Sequence, residues 1–143
     1  MKLLNESLEK ELHKLFKEMR DDVNIILFTK KVDCETCEQT KGFMEELNNT
    51  GDKINFIHYD FQENPDQAEK YNVTLTPSIV IENAKEGYKG VKFNGIPAGH
   101  EVNSFIASII EVSGAGDPLP VTILERVQAI NKAIHIQVYV TLT

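Results

Sequence analysis

The run Val23-Asn24-Ile25-Ile26-Leu27-Phe28-Thr29 constrains the fold of this chain more than any other segment. It is nearly continuous in apolar residues, without the strict alternation of a strand that has one wet face, and so suits a strand covered on both sides. The covering elements are legible around it. Leu4, Leu8, Leu12, Leu15 and Met19 recur at helical spacing among charged residues, so residues 3–20 read as an amphipathic helix. After a loop from Lys30 to Asp33, Cys37, Phe43, Met44 and Leu47 share one helical face, and Asn48 to Asp52 supplies a Gly-containing stop.

The pattern continues beyond that stop. Ile54, Phe56 and His58 alternate with Asn55, Ile57 and Tyr59 as a second strand. Asn64-Pro65-Asp66-Gln67 offers an N-cap, a proline at the first helical position and a glutamine at the third, so a short helix to about Tyr71 should follow. Strand, helix and strand imply a parallel pair. Ser78 to Glu82 and Tyr88 to Phe93 read as an antiparallel hairpin whose polar connection ends in Gly87. Gly99-His100-Glu101 opens a helix with Val102, Phe105, Ile106, Ile109 and Ile110 on its apolar face. The expected architecture is α/β, with a central mixed four-stranded sheet flanked by helices.

Composition narrows the function classes. With 143 residues, 41% of them hydrophobic, the chain is long enough for one domain with a real core. No stretch approaches the roughly 20 apolar residues of a membrane span. A net charge of −7 and scattered lysines argue against a nucleic-acid surface. The opening Met1-Lys2-Leu3-Leu4-Asn5-Glu6-Ser7 turns polar too early for a secretory signal, which points to the cytoplasm.

There, a lone cysteine pair is more often catalytic or metal-binding than a structural bridge. Cys34-Glu35-Thr36-Cys37 holds both cysteines of the chain, between the first strand and the following helix. If that helix starts at or beside Cys34, its free N–H groups and dipole favour the Cys34 thiolate, while Cys37 lies one turn in. Cys34 is then the nucleophile of disulfide exchange and Cys37 the resolving thiol. Glu35 opposes the thiolate and Lys30 and Lys31 favour it, so the direction of redox traffic stays open. A zinc site and an inert apolar pair are the competing readings. Zinc needs about four ligands, and His13, His58, His100 and His135 are isolated from one another in sequence. His100 reads as a helix-start side chain, not a general base, because no partner motif accompanies it.

Ser113-Gly114-Ala115-Gly116-Asp117-Pro118 reads as a linker. It divides residues 1–112 from a tail, residues 119–143. In the tail Ile123, Leu124, Val127 and Ile130 suggest a helix, and Ile136, Val138 and Val140 a strand. Moved back by 112 positions, Leu124 falls on Leu12, Val127 on Leu15, Val138 on Ile26 and Val140-Thr141 on Phe28-Thr29. The tail thus reads as the first helix and strand of a second, incomplete unit. Its strand should seek an edge to pair with, and a homodimer formed through the tail is one expected outcome.

Lys30-Lys31-Val32-Asp33-Cys34-Glu35-Thr36-Cys37, the Thr76-Pro77 step and Gly95-Ile96-Pro97-Ala98-Gly99-His100-Glu101 together resemble the protein disulfide oxidoreductases of thermophilic prokaryotes. These glutaredoxin-like proteins are two fused thioredoxin folds, and the N-terminal domain of the alkyl hydroperoxide reductase flavoprotein subunit is similar in build. The resemblance implies a thioredoxin-like fold and a redox-active disulfide, Cys34–Cys37, that exchanges with protein thiols and disulfides without a bound cofactor. It also implies a cis proline at Pro77, with Thr76 and Pro77 shaping the substrate groove. Reducing equivalents would come from a flavin-dependent thioredoxin reductase. The Glu-Thr pair between the cysteines departs from the Gly-Pro of thioredoxin and the Pro-Tyr common in glutaredoxins. The rival expectation is a non-catalytic scaffold or docking half of a tandem protein whose main dithiol lies beyond Thr143.

Overall fold

A computed structural model describes residues 4–141. Helix α1 spans Glu6–Phe16, strand β1 Val23–Thr29, helix α2 Cys37–Asn48 and strand β2 Ile54–Asp60. Helix α3 follows at Pro65–Lys70, strands β3 and β4 at Ser78–Asn83 and Gly87–Asn94, and helices α4 and α5 at Glu101–Val112 and Val121–Gln128. The strands lie in the order β2-β1-β3-β4. β1 runs parallel to β2 and antiparallel to β3, and β3 is antiparallel to β4. The expected mixed four-stranded α/β sheet is therefore formed.

The double-sided character of β1 has a direct structural counterpart. Val23, Ile25 and Leu27 point into a core built with Leu12 and Phe16 of α1, Phe43, Met44 and Leu47 of α2, and Phe105, Ile106 and Ile109 of α4. Ile26 and Phe28 point the other way, against Ala68 of α3, Tyr71, Val73 and Val80. Gly51 ends the α2 stop because a Cβ there would lie 3.0 Å from Cβ of Phe16.

Several boundaries differ from expectation for local reasons. α1 is shorter than residues 3–20, because Asn5 Oδ1 accepts the Leu8 N–H at 2.8 Å and sets the start. Residues 1–3 lie outside the described residues. Leu4 and Met19 still reach the core from the flanking turns. Asn64 holds the N-cap position of α3, as expected, but without a side-chain cap bond; its side-chain amide donates instead to the Asp60 carbonyl at 3.0 Å. The hairpin strands run one residue further at each turn-side end, so Gly87 opens β4. The expected linker is anchored at its first residue. Ser113 is fully buried, and its carbonyl accepts the Asp21 N–H at 3.0 Å.

The tail helix α5 forms, with none of its residues buried. The expected strand does not: residues 136–140 join none of the four strands. An extended segment needs a ladder partner to persist as a strand, and residues 136–140 pair with neither edge strand, β2 or β4. No helix among the described residues is long and apolar enough to cross a membrane.

Candidate redox site

β1 ends at Thr29, and the chain turns through residues 30–36 before α2 begins. Asp33 adopts φ 54°, a left-handed conformation that aspartate tolerates better than most residues, and delivers the chain to Cys34. Cys34 is disulfide-bonded to Cys37, with 5.5 Å between the Cα atoms. α2 begins at Cys37, three residues later than Cys34, because the residues between the cysteines form a turn and the Thr40 N–H closes the first helical bond on the Thr36 carbonyl at 2.9 Å. The Thr40 hydroxyl donates to the same carbonyl at 2.7 Å. The disulfide still holds the Cys34 sulfur at the first turn of α2, where backbone N–H groups lack helical acceptors.

The two cysteines differ in access. Cys34 is half-buried, whereas Cys37 is only 2% exposed, on the buried side of the first turn of α2. This is the division that disulfide exchange uses, with one reachable sulfur and one protected behind it.

Thr76 and Pro77 reach the same end of the sheet by register. Ser78 pairs with Phe28, so Pro77 stands where β1 releases the chain toward Cys34. The Thr76–Pro77 bond is cis, as the resemblance implied. Thr76 is half-buried and Pro77 buried. Gly95 donates its N–H to the Pro77 carbonyl at 2.8 Å, and its φ of 92° is one that glycine adopts without penalty. Beside it, Ser78 and Asn94 are joined through their side chains. The contact of Gly95 with Pro77 is not apparent in the sequence, where the Gly95 segment stands out only as part of the family resemblance. Its local trace is the glycine immediately after an extended run.

His58, isolated from the other histidines in sequence, is brought to this end of the sheet by the fold. Its Nε2 lies 2.7 Å from the Thr29 hydroxyl, and its ring stacks on Phe56 at a centroid distance of 6.4 Å. Burial, helped by Lys41, holds its pKa below the ordinary histidine value against the opposing pull of Asp60, Glu38 and Glu45. Only the pairing with Thr29 across β1 and β2 reveals it, since Leu27 is its backbone neighbour. His100 caps nothing with its side chain and stands exposed at the start of α4. Among the described residues, no three His, Cys, Asp or Glu side chains are grouped to hold a metal ion.

The surrounding charge is mostly paired on the cationic side. Lys31 Nζ lies 2.5 Å from Glu63 Oε1, and this contact raises the lysine pKa. Lys41 lies 4.0 Å from Glu45. Asp60 Oδ1 accepts the N–H groups of Gln62 and Glu63 at 2.9 and 3.1 Å, which folds the β2–α3 turn so that Glu63 meets Lys31.

Three comparisons place this geometry among known proteins. The chain is similar to the F component of the alkyl hydroperoxide reductase of Staphylococcus aureus, 25% identical over 141 residues, which is 99% of this chain and 25% of that protein. It thus spans about a quarter of the length of the curated relatives it matches. The crystal structure of the NTD_N/C domain of alkyl hydroperoxide reductase from Enterococcus faecalis superposes with a TM-score of 0.82 and 29% identity, covering 90% of this chain and 62% of that one. A protein disulfide oxidoreductase from Aeropyrum pernix shares the fold, with a TM-score of 0.77 and 23% identity over 90% of this chain and 56% of that one. The thioredoxin sequence profile matches residues 4–108, a span that contains the dithiol, Pro77 and every strand of the sheet. On that match the chain belongs to the thioredoxin family.

Proposed function

We propose that this protein exchanges thiols and disulfides with protein partners through Cys34 and Cys37, and contributes in this way to cytoplasmic redox homeostasis. The observation that carries the reading is the unequal access of the two bonded sulfurs. In the reductive direction, the Cys34 thiolate attacks one sulfur of a partner disulfide and expels the other as a thiolate. The Cys37 thiolate then attacks Cys34 in the mixed disulfide, releasing the second partner thiol and restoring the Cys34–Cys37 bond. Thr76 and Pro77 border the sulfur and shape the groove for an extended partner segment. No bound cofactor enters these steps. Reducing equivalents come from a flavin-dependent reductase, a reading supported by similarity to a component of a hydroperoxide reductase.

The test is reduction of insulin disulfides in the presence of dithiothreitol. The protein should accelerate the reaction, and Cys34→Ser should return it to the uncatalysed rate. Acceleration that survives Cys34→Ser would remove the nucleophile from Cys34.

The tail supports a second reading, in which this chain also works as the scaffold half of a tandem protein. The thioredoxin profile stops at residue 108, whereas the Enterococcus structure aligns with 90% of the chain and therefore continues into the tail. We read residues 113–118 as the connection and residues 119–143 as the opening of a second thioredoxin-like unit. The exposed Ile123, Leu124 and Val127 of α5 then await a covering layer, from that unit or from another copy of the chain. A dithiol in such a unit would carry the main activity, and Cys34→Ser in the tandem protein would leave most insulin reduction intact.

A further inference from the structure

The surface around Cys34 has a composition that selects among disulfides. Val32, in the loop before Cys34, is 67% exposed, and Leu75, just before Thr76-Pro77, is 59% exposed. Val32 stands two residues before Cys34, and Leu75 two residues before Pro77, which register places beside the end of β1. Between and beyond them, Asp33, Glu35 and Glu38 are all exposed, and none has an ion-pair partner among the described residues. The nearby cations are largely spent within the protein. Lys31 is bound to Glu63 and Lys41 to Glu45. Lys30 alone opposes the three carboxylates, which leaves the rim with two negative charges on a chain of net charge −7.

We propose that the dithiol is selective for polypeptide disulfides carrying lysine or arginine and an apolar side chain beside the cysteine, and that it discriminates against anionic disulfides such as oxidised glutathione. The inference rests on the exchange reading above and adds the substrate class. A cationic flank entering the rim meets three carboxylates that have no ion-pair partner among the described residues, while its apolar neighbour covers Val32 or Leu75. An anionic flank meets like charge at every one of those carboxylates. Such rim charges act mainly on the encounter rate and weaken as salt screens them. The chemistry is balanced as before: the reduced protein loses two electrons and two protons, closes Cys34–Cys37, and the partner disulfide becomes two thiols. Dithiothreitol prepares the reduced protein and is removed before the reaction.

The test uses disulfide-linked homodimers of one short peptide, with the cysteine next to leucine and flanked by either two lysines or two glutamates, together with oxidised glutathione. Oxidation of the reduced protein is followed by trapping free thiols and weighing the products. Each rate is divided by the rate at which dithiothreitol reduces the same disulfide, which removes differences in leaving-group acidity. The normalised preference for the lysine peptide should be about tenfold at low ionic strength and fall toward about twofold near 0.5 M salt, with glutathione grouped with the glutamate peptide. In the Glu35→Gln/Glu38→Gln protein, the low-salt preference should shrink to the high-salt value. Equal normalised rates, or a preference untouched by salt and by the double substitution, overturn the selectivity while leaving the exchange reading in place. Absence of any reaction above the Cys34→Ser protein sinks the exchange reading, and the selectivity with it.

Discussion

Nε2 of His58 and the hydroxyl of Thr29 are 2.7 Å apart, tying β2 to the last residue of β1 just where the chain leaves the sheet for Cys34. The histidine is partly buried, and that burial, with the charge of Lys41, depresses its pKa. A depressed histidine pKa means that the unfolded chain takes up a proton before the folded one does. Folding stability therefore falls as pH drops through the ordinary histidine value, and stops falling below the folded one. Chemical denaturation of the protein at pH 7.5 and pH 5.5 should give a lower midpoint at the acid value. His58→Gln should reduce the difference between the two, and an equal pH dependence in that variant would place its origin elsewhere.

Cys37 is nearly inaccessible behind Cys34, so removing its thiol should stop the second step and leave the first. Cys37→Ser is expected to accumulate a covalent adduct with a disulfide substrate, visible by mass under non-reducing conditions and lost with dithiothreitol. Cys34→Ser should form none. An adduct on Cys37 in the Cys34→Ser protein would reverse the assigned roles.

Phe105 is the aromatic side chain that α4 places in the core. Phe105 is fully buried, with Phe93 edge-on at 5.2 Å and Phe43 at 6.3 Å between ring centroids. Phe105→Ala removes the ring from a site walled by sheet and helices and should cost about 3–5 kcal/mol, read from the urea midpoint and slope. A loss under about 1 kcal/mol would mean that the site collapses around the smaller side chain.

On α5 the opposite holds. Leu124 and Val127 are exposed, so Leu124→Glu or Val127→Glu should change the stability of the folded unit by no more than about 0.5 kcal/mol. If the tail joins two copies, light scattering should find a dimer for the full chain and a monomer for either variant. A monomer throughout removes self-association through α5.

The first helix shows how far local reading reaches. Leu4, Leu12 and Met19 of its expected stripe are buried and Leu8 partly so, but Leu15 is exposed and Phe16 enters the core in its place, and the helix start is set by a bond between Asn5 and Leu8. The same distinction applies at the site. Cys34 and Cys37 were legible from their spacing and their place after an apolar strand. The contact of Gly95 with Pro77 and that of His58 with Thr29 were not, because each joins residues 18 or more positions apart whose meeting depends on strand register.

The order of periodic segments was enough to establish the α/β arrangement, because hydrophobic spacing is a local property set by the repeat of helix and strand. The same local property named Ile136, Val138 and Val140 as a strand, and there it failed. A strand exists only through hydrogen bonds to a neighbour, and whether a neighbour is present is a fact of tertiary structure. The unequal access of Cys34 and Cys37 was legible locally, from Cys37 sharing the apolar face of α2; the structure adds that α2 starts only at Cys37. What tertiary structure decided is that strand register brings the cis Thr76–Pro77 step to the same end of the sheet as the dithiol, because that meeting depends on contacts between residues far apart in the chain.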